Sequence, residues 1–337
     1  MKQAKIIRNR EQDYLSAVSY LSAAGSVGSA SERLARFTEC RTAETLQSAC
    51  RDVFRLNIQG PDVYDAAITD AVDKLKSVCP DMTPFLPLLY KYDCTNAKIA
   101  LKSAVSGAVC RPEDFFACGT VSREKLAAMC AERSYMALPE HMAASAAEAD
   151  REYVKSGEVR AIDLLMDAAC FADMAAAADA GGVELVRRIV TLRADAANTL
   201  ASMRIKASGM PNESAAALMK RAYVPGGDMP LRTFAGDGCS DIYEINERTT
   251  VGCLLKDALL LLAGDKNVSF IAAERQFDEA VFSECDKYRF TPFGPEVAVR
   301  FLLTREAEIT NCRLIENGLR SGLKPEIIKE RLRRAYV

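Results

Sequence analysis

The sequence predicts an all-α protein, and three observations carry that prediction. Apolar residues recur at helical spacing almost throughout; within residues 183–205, Leu185, Ile189, Leu192 and Ala196 form one stripe of a long helix. Stretches such as "AEADREYVKSGEVRAIDLLMDAACFADMAAAA" are rich in Ala, Leu, Met and charged helix formers. Alternating apolar and polar runs of strand length are nearly absent. We therefore expect helices along almost the whole chain.

Composition narrows the class of protein. A chain of 337 residues with 49% hydrophobic and 27% charged residues is globular, with room for one large domain or two to three ordinary ones. The net charge of −2 offers no basic excess for nucleic acid or an anionic membrane surface. The N-terminal stretch lacks the apolar core of a signal peptide. The apolar run at 258–263 is far shorter than the ~18 residues of a membrane span. We therefore expect a soluble chain, and such a chain can still bind at the surface of a membrane.

An internal repeat organises the chain. The pattern [Asp/Glu]-x-x-Asn-x9-Ser-Gly occurs three times. Its acid, Asn and Gly are Asp93, Asn96 and Gly107, then Asp195, Asn198 and Gly209, then Glu308, Asn311 and Gly322. The last two copies are 113 residues apart (308 − 195), and "SGMPNESAAALMKRAYV" at 208–224 aligns with "SGLKPEIIKERLRRAYV" at 321–337 at that same offset. The repeat predicts three similar helical units, at residues 1–110, 111–225 and 226–337, with the second border in the turn cluster "VPGGDMP".

The spacing within the pattern predicts its local structure. Residues three apart share one face of a helix, so each acid and its Asn lie side by side. The Gly follows about three helical turns later, where a helix ends. A Pro and a Glu come after each Ser-Gly and favour the first turn of a new helix. Each copy therefore predicts a helix, a sharp turn and a second helix.

The repeated acid and Asn have two possible interpretations. They could form a carboxylate and amide pair at an active site. However, a catalytic constellation occurs once per site, whereas a feature repeated in every unit belongs to the fold. An Asn inside a helix is unfavourable unless its amide meets a partner, such as a carbonyl at a neighbouring helix end. The sequence therefore favours a structural role.

The remaining candidates for chemistry are few. The single histidine, His141 in "LPEHM", is typical of the surface or the start of a helix. No Gly-x4-Gly-Lys-[Ser/Thr] loop is present for ATP, and "DGCSD" at 237–241 lacks the spacing of a calcium loop. The twelve cysteines include no Cys-x-x-Cys pair, which favours buried free thiols in a reducing compartment over a zinc site. We predict no catalytic residue, no cofactor and no metal.

Three stretches resemble the C subunit of the bacterial and archaeal V/A-type ATP synthases and ATPases, a relative of the d subunit of the eukaryotic V-ATPase. The most specific is "FGPEVAVRFLLTREAEITNCRLIENGLRSGLKPEIIKERLRRAYV" at 293–337. "LLYKYDCTNAKIALK" at 88–102 is similar to the first-unit segment of that family, and "LPEHMAASAAEADREYVKSGEVRAIDLLMDAACF" at 138–171 to its central segment. The chain departs from the family in Ala-Leu-Lys at 100–102, where members commonly carry an Arg, and in the divergent tip "GSVGSASERL" at 25–34. The resemblance extends over essentially the whole length.

The resemblance implies a fold and a role. It implies a funnel of three similar helical units about a pseudo-threefold axis, peripheral to the membrane on its cytoplasmic face. The funnel would sit on the proteolipid ring and receive the foot of the central stalk, which the D and F subunits form. Such a protein carries torque between shaft and ring for ion transport and has no active site of its own.

Two other functions stay open on the sequence. The repeats could stack as an open helical scaffold that binds a peptide or protein partner, although units of about 110 residues exceed the usual 20–50 of solenoids. The chain could also be a helical enzyme that uses His141 or the repeated acid and Asn pairs.

Overall fold

The computed structural model describes residues 14–25, 29–57, 62–235, 270–291 and 293–333. These residues are predominantly helical and contain no strand, which confirms the all-α prediction. Several stretches named in the sequence analysis lie outside the described residues: the N-terminal 13 residues, the stretch "DGCSD" at 237–241, the apolar run at 258–263 and the shared Arg-Ala-Tyr-Val ending at 334–337.

The described part of the chain forms fourteen α-helices. They are α1 Leu15–Gly25, α2 Ala30–Thr38, α3 Ala43–Phe54, α4 Val63–Val78, α5 Leu86–Ser106, α6 Arg123–Glu132, α7 Glu140–Ser156, α8 Val159–Gly181, α9 Glu184–Ala207, α10 Asn212–Ala222, α11 Leu231–Ala235, α12 Phe270–Asp286, α13 Glu296–Arg320 and α14 Pro325–Arg331. Two short 3-10 turns, Thr83–Phe85 and Pro112–Asp114, precede α5 and α6.

Local sequence explains where helices begin and which face they bury. Ser29 starts α2 with a capping box: the Glu32 N–H donates to its hydroxyl at 3.2 Å, and its own N–H donates to the Glu32 carboxylate at 2.6 Å. In α9 three members of the predicted apolar stripe are buried, with Leu185 and Ile189 at 0% exposure and Leu192 at 2%, whereas Ala196 is partly exposed. The helical period of the sequence therefore identified the packed face of this helix.

The first compact unit combines Met1–Met82 with Asp278–Val337. Its centre is α13, which packs against α1, α2, α3 and α4. The core includes Leu21, Phe37, Leu46 and Leu75, all nearly or fully buried. The rings of Phe37 and Phe54 lie 5.8 Å apart, in the range of favourable aromatic contacts.

The second compact unit is Thr83–Phe277. In it α8 packs against α5, α7 and α9. Two ion pairs join α5 to α8: Lys98 to Asp167 at 2.6 Å and Lys102 to Asp163 at 2.7 Å. Because the residue numbers rise on one helix and fall on the other, α5 and α8 run antiparallel. The pairs connect two of the segments that carry the family resemblance.

The border between the compact units falls within α12, between Phe277 and Asp278. These units follow packing, whereas the three units of the sequence follow the repeat. The division at residues 110 and 226 therefore stays a prediction. None of the helices in the described ranges is both long enough and apolar enough to span a membrane.

Candidate functional site at the three repeats

The first repeat site connects α5 to the segment that follows it. Asn96 donates its amide to the Phe116 carbonyl at 3.0 Å, and the Phe116 N–H donates to the Asn96 amide oxygen at 2.8 Å. The Asp93 carboxylate accepts the Thr120 N–H at 2.8 Å, the Thr120 hydroxyl at 2.7 Å and the Val121 N–H at 3.2 Å. Both side chains on α5 are fully buried. They satisfy backbone groups that the returning chain would otherwise bury without partners.

The second repeat site reproduces this arrangement on α9. Asn198 and Val224 exchange two hydrogen bonds, each 2.8 Å long, between the amide side chain and the backbone. The Asp195 carboxylate accepts the backbone N–H groups of Asp228 and Met229, both at 3.1 Å. Asp195 and Asn198 are 0% exposed. Acid and amide thus perform the same task at both sites.

The third repeat site keeps the amide contact but not the acid contact. Asn311 on α13 donates to the Arg333 carbonyl at 3.1 Å and accepts the Arg333 N–H at 2.7 Å. Glu308 instead binds Arg33 of α2, at 2.6 Å, and Arg305 of its own helix, at 3.2 Å. These three ionic side chains are about nine-tenths buried. In this copy the acid holds two cations in place of two backbone N–H groups.

The Asn partner occupies the same structural position in every copy. Phe116, Val224 and Arg333 each come directly after the C-cap residue of the preceding turn or helix. The sequence separation from Asn to partner nevertheless varies: 20, 26 and 22 residues. The Asn side chain therefore binds the backbone at the end of a helical segment in every copy, although the number of residues between the Asn and its partner differs.

One prediction about the segment after the repeat glycine is wrong for the first copy. We expected a new helix after each repeat glycine, and α10 and α14 fit that expectation. After Gly107, however, the chain forms only the 3-10 turn Pro112–Asp114.

The three repeat glycines lie at helix ends. Gly107, Gly209 and Gly322 have φ values of 73°, 69° and 64°, and nothing lies within 4 Å of where a Cβ would be. A positive φ after a helix is strongly enriched in glycine because a Cβ disfavours that backbone conformation. These residues reverse the chain so that it can return to the repeat site.

Two further glycines were missed by the sequence analysis. A Cβ on Gly119 would lie 2.4 Å from the Asp93 Oδ1 atom, and a Cβ on Gly227 would lie 2.0 Å from the Asp195 Oδ1 atom. Each glycine comes three residues after the Asn partner, in "FACGTV" and "VPGGDM". That shared spacing was the signal available in the sequence. Both glycines are needed so that the backbone can approach the carboxylate.

Burial dominates the electrostatics of the first two sites. It raises the pKa of Asp93 to about 6, although hydrogen bonds from the Thr120 hydroxyl and from the Val121 and Thr120 N–H groups lower that pKa. Burial also raises the pKa of Asp195 to about 6; the Met229 and Asp228 N–H groups oppose the rise. The carboxylates thus carry a desolvation cost that their N–H donors only partly offset.

His141 lies in the first turn of α7, as predicted, and has a buried partner that the sequence analysis did not identify. Its Nδ1 atom is 2.8 Å from Oδ1 of Asp173 on α8. Asp173 also accepts the backbone N–H groups of His141 and Met142, both at 2.9 Å. Asp173 is therefore a side-chain cap for the start of α7. The side chain of His141 is half exposed, and this pair has a clear structural task.

The repeat sites are built to hold chain segments together. Their acids and amides direct their polar atoms at backbone groups or at arginines of the same unit. In the ranges that the structure describes, no group of three His, Cys, Asp or Glu side chains is arranged to hold a metal ion.

Comparison with known proteins adds a family to this geometry. The model of the ATP synthase (C/AC39) subunit family matches residues 62–331, which include all three acid and Asn pairs. The chain is also similar to the C subunit of the A-type ATP synthase from Thermococcus onnurineus (strain NA1), with 26% identity over 147 residues. That alignment covers 43% of this chain and 38% of the relative, so the shared region is less than half of either protein.

Proposed function

The chain belongs to the ATP synthase (C/AC39) subunit family, and on that premise we propose that it is the socket that couples the central stalk to the membrane ring of a V/A-type ATP synthase or ATPase. The shaft, formed by the D and F subunits, would insert into it, and the proteolipid ring would carry it. A member of the C/AC39 family is a structural rotor subunit and is not itself catalytic. The family match over 62–331 is the observation that carries the proposal.

The long helices suit a part that carries torque. α5, α9 and α13 have 21, 24 and 25 residues, which at 1.5 Å per residue gives lengths of about 32, 36 and 38 Å. Each repeat site connects the interior of one long helix to the segment that follows it. Buried polar groups with satisfied partners make a fold rigid. A rigid connection of this kind supports transmission of a turning force with little internal deformation.

The proposed arrangement is a funnel. Three similar helical units would surround the shaft foot about a pseudo-threefold axis, on the cytoplasmic face of the membrane. The three copies of the repeat support this arrangement, because each supplies one long helix whose Asn binds the end of the segment that follows. Ion transport would then depend on this protein for coupling, whereas ATP chemistry would take place in other subunits.

The experiment measures ATP hydrolysis and ion uptake side by side on the same vesicles. Removing this protein should abolish ATP-driven ion uptake and leave hydrolysis by the soluble sector largely intact. The shaft should also dissociate from the membrane more readily. Adding back the wild-type chain should restore uptake. If uptake survives removal, or if hydrolysis by the detached sector stops, the coupling role is wrong.

Two variants make the experiment in which the protein is added back more specific. Gly209→Pro should fail to restore uptake, because proline fixes φ near −65° where the turn has +69°. Thr95→Ala changes an exposed residue next to Asn96 and should restore uptake fully.

A pull-down tests the alternative function, a helical scaffold unrelated to the ATPase. Such a scaffold would not co-purify with shaft or ring subunits.

A further inference from the structure

Two thiols from distant parts of the sequence touch in the core of the first compact unit. Cys50 lies on α3 and Cys312 on α13, 262 residues apart in the chain. Their Sγ atoms are 3.3 Å apart, and both residues are 0% exposed. A disulfide has an S–S length of about 2.05 Å, so a movement of roughly 1.3 Å would bring the two sulfurs to bonding distance. The two helices that carry these thiols, α3 and α13, pack against each other.

We propose that Cys50 and Cys312 form a reversible disulfide when the protein meets hydrogen peroxide. Two thiols lose two electrons and two protons, one S–S bond forms, and the peroxide O–O bond is reduced to two molecules of water. A dithiol reductant reverses the reaction by thiol–disulfide exchange. The site is a modification site that is independent of the coupling role proposed above.

A third cysteine provides the route for the oxidant. Cys40, in the turn between α2 and α3, is partly exposed, whereas Cys50 and Cys312 are buried. Burial raises the pKa of Cys312 well above its ordinary value and also raises the pKa of Cys40, so access to solvent, and not acidity, distinguishes Cys40 from the buried pair. We therefore assign the first step to Cys40: its thiolate attacks the peroxide and becomes a sulfenic acid, releasing hydroxide.

Two exchange steps then move the oxidation inward. The Cys50 thiol attacks the Cys40 sulfenic sulfur, an S–S bond forms between them, and water leaves. The Cys312 thiol attacks the Cys50 sulfur, the final disulfide forms, and Cys40 regains its thiol. Only one oxidant molecule is consumed, and the product is buried.

The location of the disulfide gives it a structural consequence. Cys312 directly follows Asn311 of the third repeat site, and α13 is the helix on which α1–α4 pack. A covalent bond from α3 to this point would fix the third repeat site to the N-terminal helices. Closing so long a loop also restricts the unfolded chain. Oxidation would thus stabilise the first compact unit.

Peptide mapping tests the proposal directly. Trypsin separates the three thiols, because Cys40, Cys50 and Cys312 fall in "FTECR", "TAETLQSACR" and "EAEITNCR". The folded full-length chain is treated with hydrogen peroxide, blocked with an alkylating reagent, and digested without reductant. We expect the cross-linked peptide that joins Cys50 to Cys312, together with a Tm that rises by several degrees and returns after dithiothreitol.

Three variants check the assignment. Cys312→Ala and Cys50→Ala should each lose both the cross-linked peptide and the rise in Tm. Cys40→Ser keeps the buried pair and should form the same cross-link several-fold more slowly. An equal rate in Cys40→Ser would overturn the assigned route.

A chain unfolded and oxidised in denaturant shows that the cross-linked peptide can be detected. If the folded wild-type chain treated with peroxide gives no such peptide, the disulfide proposal is wrong. A cross-link confined to Cys40 and Cys50 would overturn it as well.

Discussion

The amide of Asn198 gives the sharpest test of the repeat sites. Asn198→Ala removes both hydrogen bonds to Val224 and leaves that residue's N–H and carbonyl without partners. Asn198 is 0% exposed and Val224 is 5% exposed, so water cannot easily replace the amide. Each unsatisfied buried group costs about 1–3 kcal/mol, and alanine returns roughly 0.5 kcal/mol of helix propensity. The free energy of unfolding should therefore fall by about 2–5 kcal/mol.

The assay is chemical and thermal unfolding of the isolated chain, followed by circular dichroism. A loss of this size should lower Tm by about 5–15 °C. Asn96→Ala and Asn311→Ala should cost less, about 1–2 kcal/mol each, because Phe116 and Arg333 are partly exposed and water can solvate them. The order of the three variants thus follows the burial of the backbone partner.

Exposed neighbours on the same helices supply the controls. Thr95 and Thr310 each precede a repeat Asn and are exposed. Thr95→Ala and Thr310→Ala should leave unfolding within about 0.5 kcal/mol of the wild type. Unchanged unfolding of Asn198→Ala, or an equal loss from Thr95→Ala and Asn96→Ala, would refute the structural role of the amides.

Two other predictions test the acids and their glycines. The pKa of Asp93 and of Asp195 is about 6 in the fold and about 4 in the unfolded chain, so their protonation stabilises the fold fully below pH ~4 and this contribution is lost as pH rises through ~6. When the pH is lowered from about 8 to about 5, the free energy of unfolding of the wild type should increase by about 1 kcal/mol more than that of Asp195→Asn. An equal increase in both proteins would contradict the raised pKa of Asp195. Gly227→Ala should lower the free energy of unfolding by about 3 kcal/mol, because its Cβ would lie 2.0 Å from the Asp195 carboxylate. Gly209→Ala should lower it by about 1 kcal/mol, because the site has open space and only the φ of 69° opposes a Cβ. Equal losses in urea unfolding would show that Gly227 is not needed for the close approach.

Features set by short-range physics were predictable from the sequence. The stripe of α9 followed from a 3.6-residue period, and the repeat glycines followed from their place about three turns after an Asn. The side-by-side acid and Asn required only the geometry of one helix. Each of these three features depends only on residues that lie in the same helix or at its end.

Features set by the path of the chain were not predictable. Asp195 meets N–H groups 33 and 34 residues away, and Glu308 meets Arg33 across 275 residues. The spacing of the motif contains no information on where a later turn returns. The single 3-10 turn after Gly107 was not predictable either, because the repeat pattern is the same there as in the two copies that form a helix.

The acid of the third repeat, Glu308, binds different partners from Asp93 and Asp195, and its place in the first compact unit gives a physical reason. Asp93 and Asp195 each close a segment of about 30 residues, so they connect a long helix to its own following turn. Glu308 has one more methylene group, and it connects α13, near the C-terminal end of the chain, to Arg33 on α2, near the N-terminal end. Breaking a buried ion pair by removing one partner costs about 3–5 kcal/mol, so this contact is a strong constraint between the two ends of the chain. Under the proposed coupling role, a force that reaches α13 would therefore be shared with the N-terminal helices.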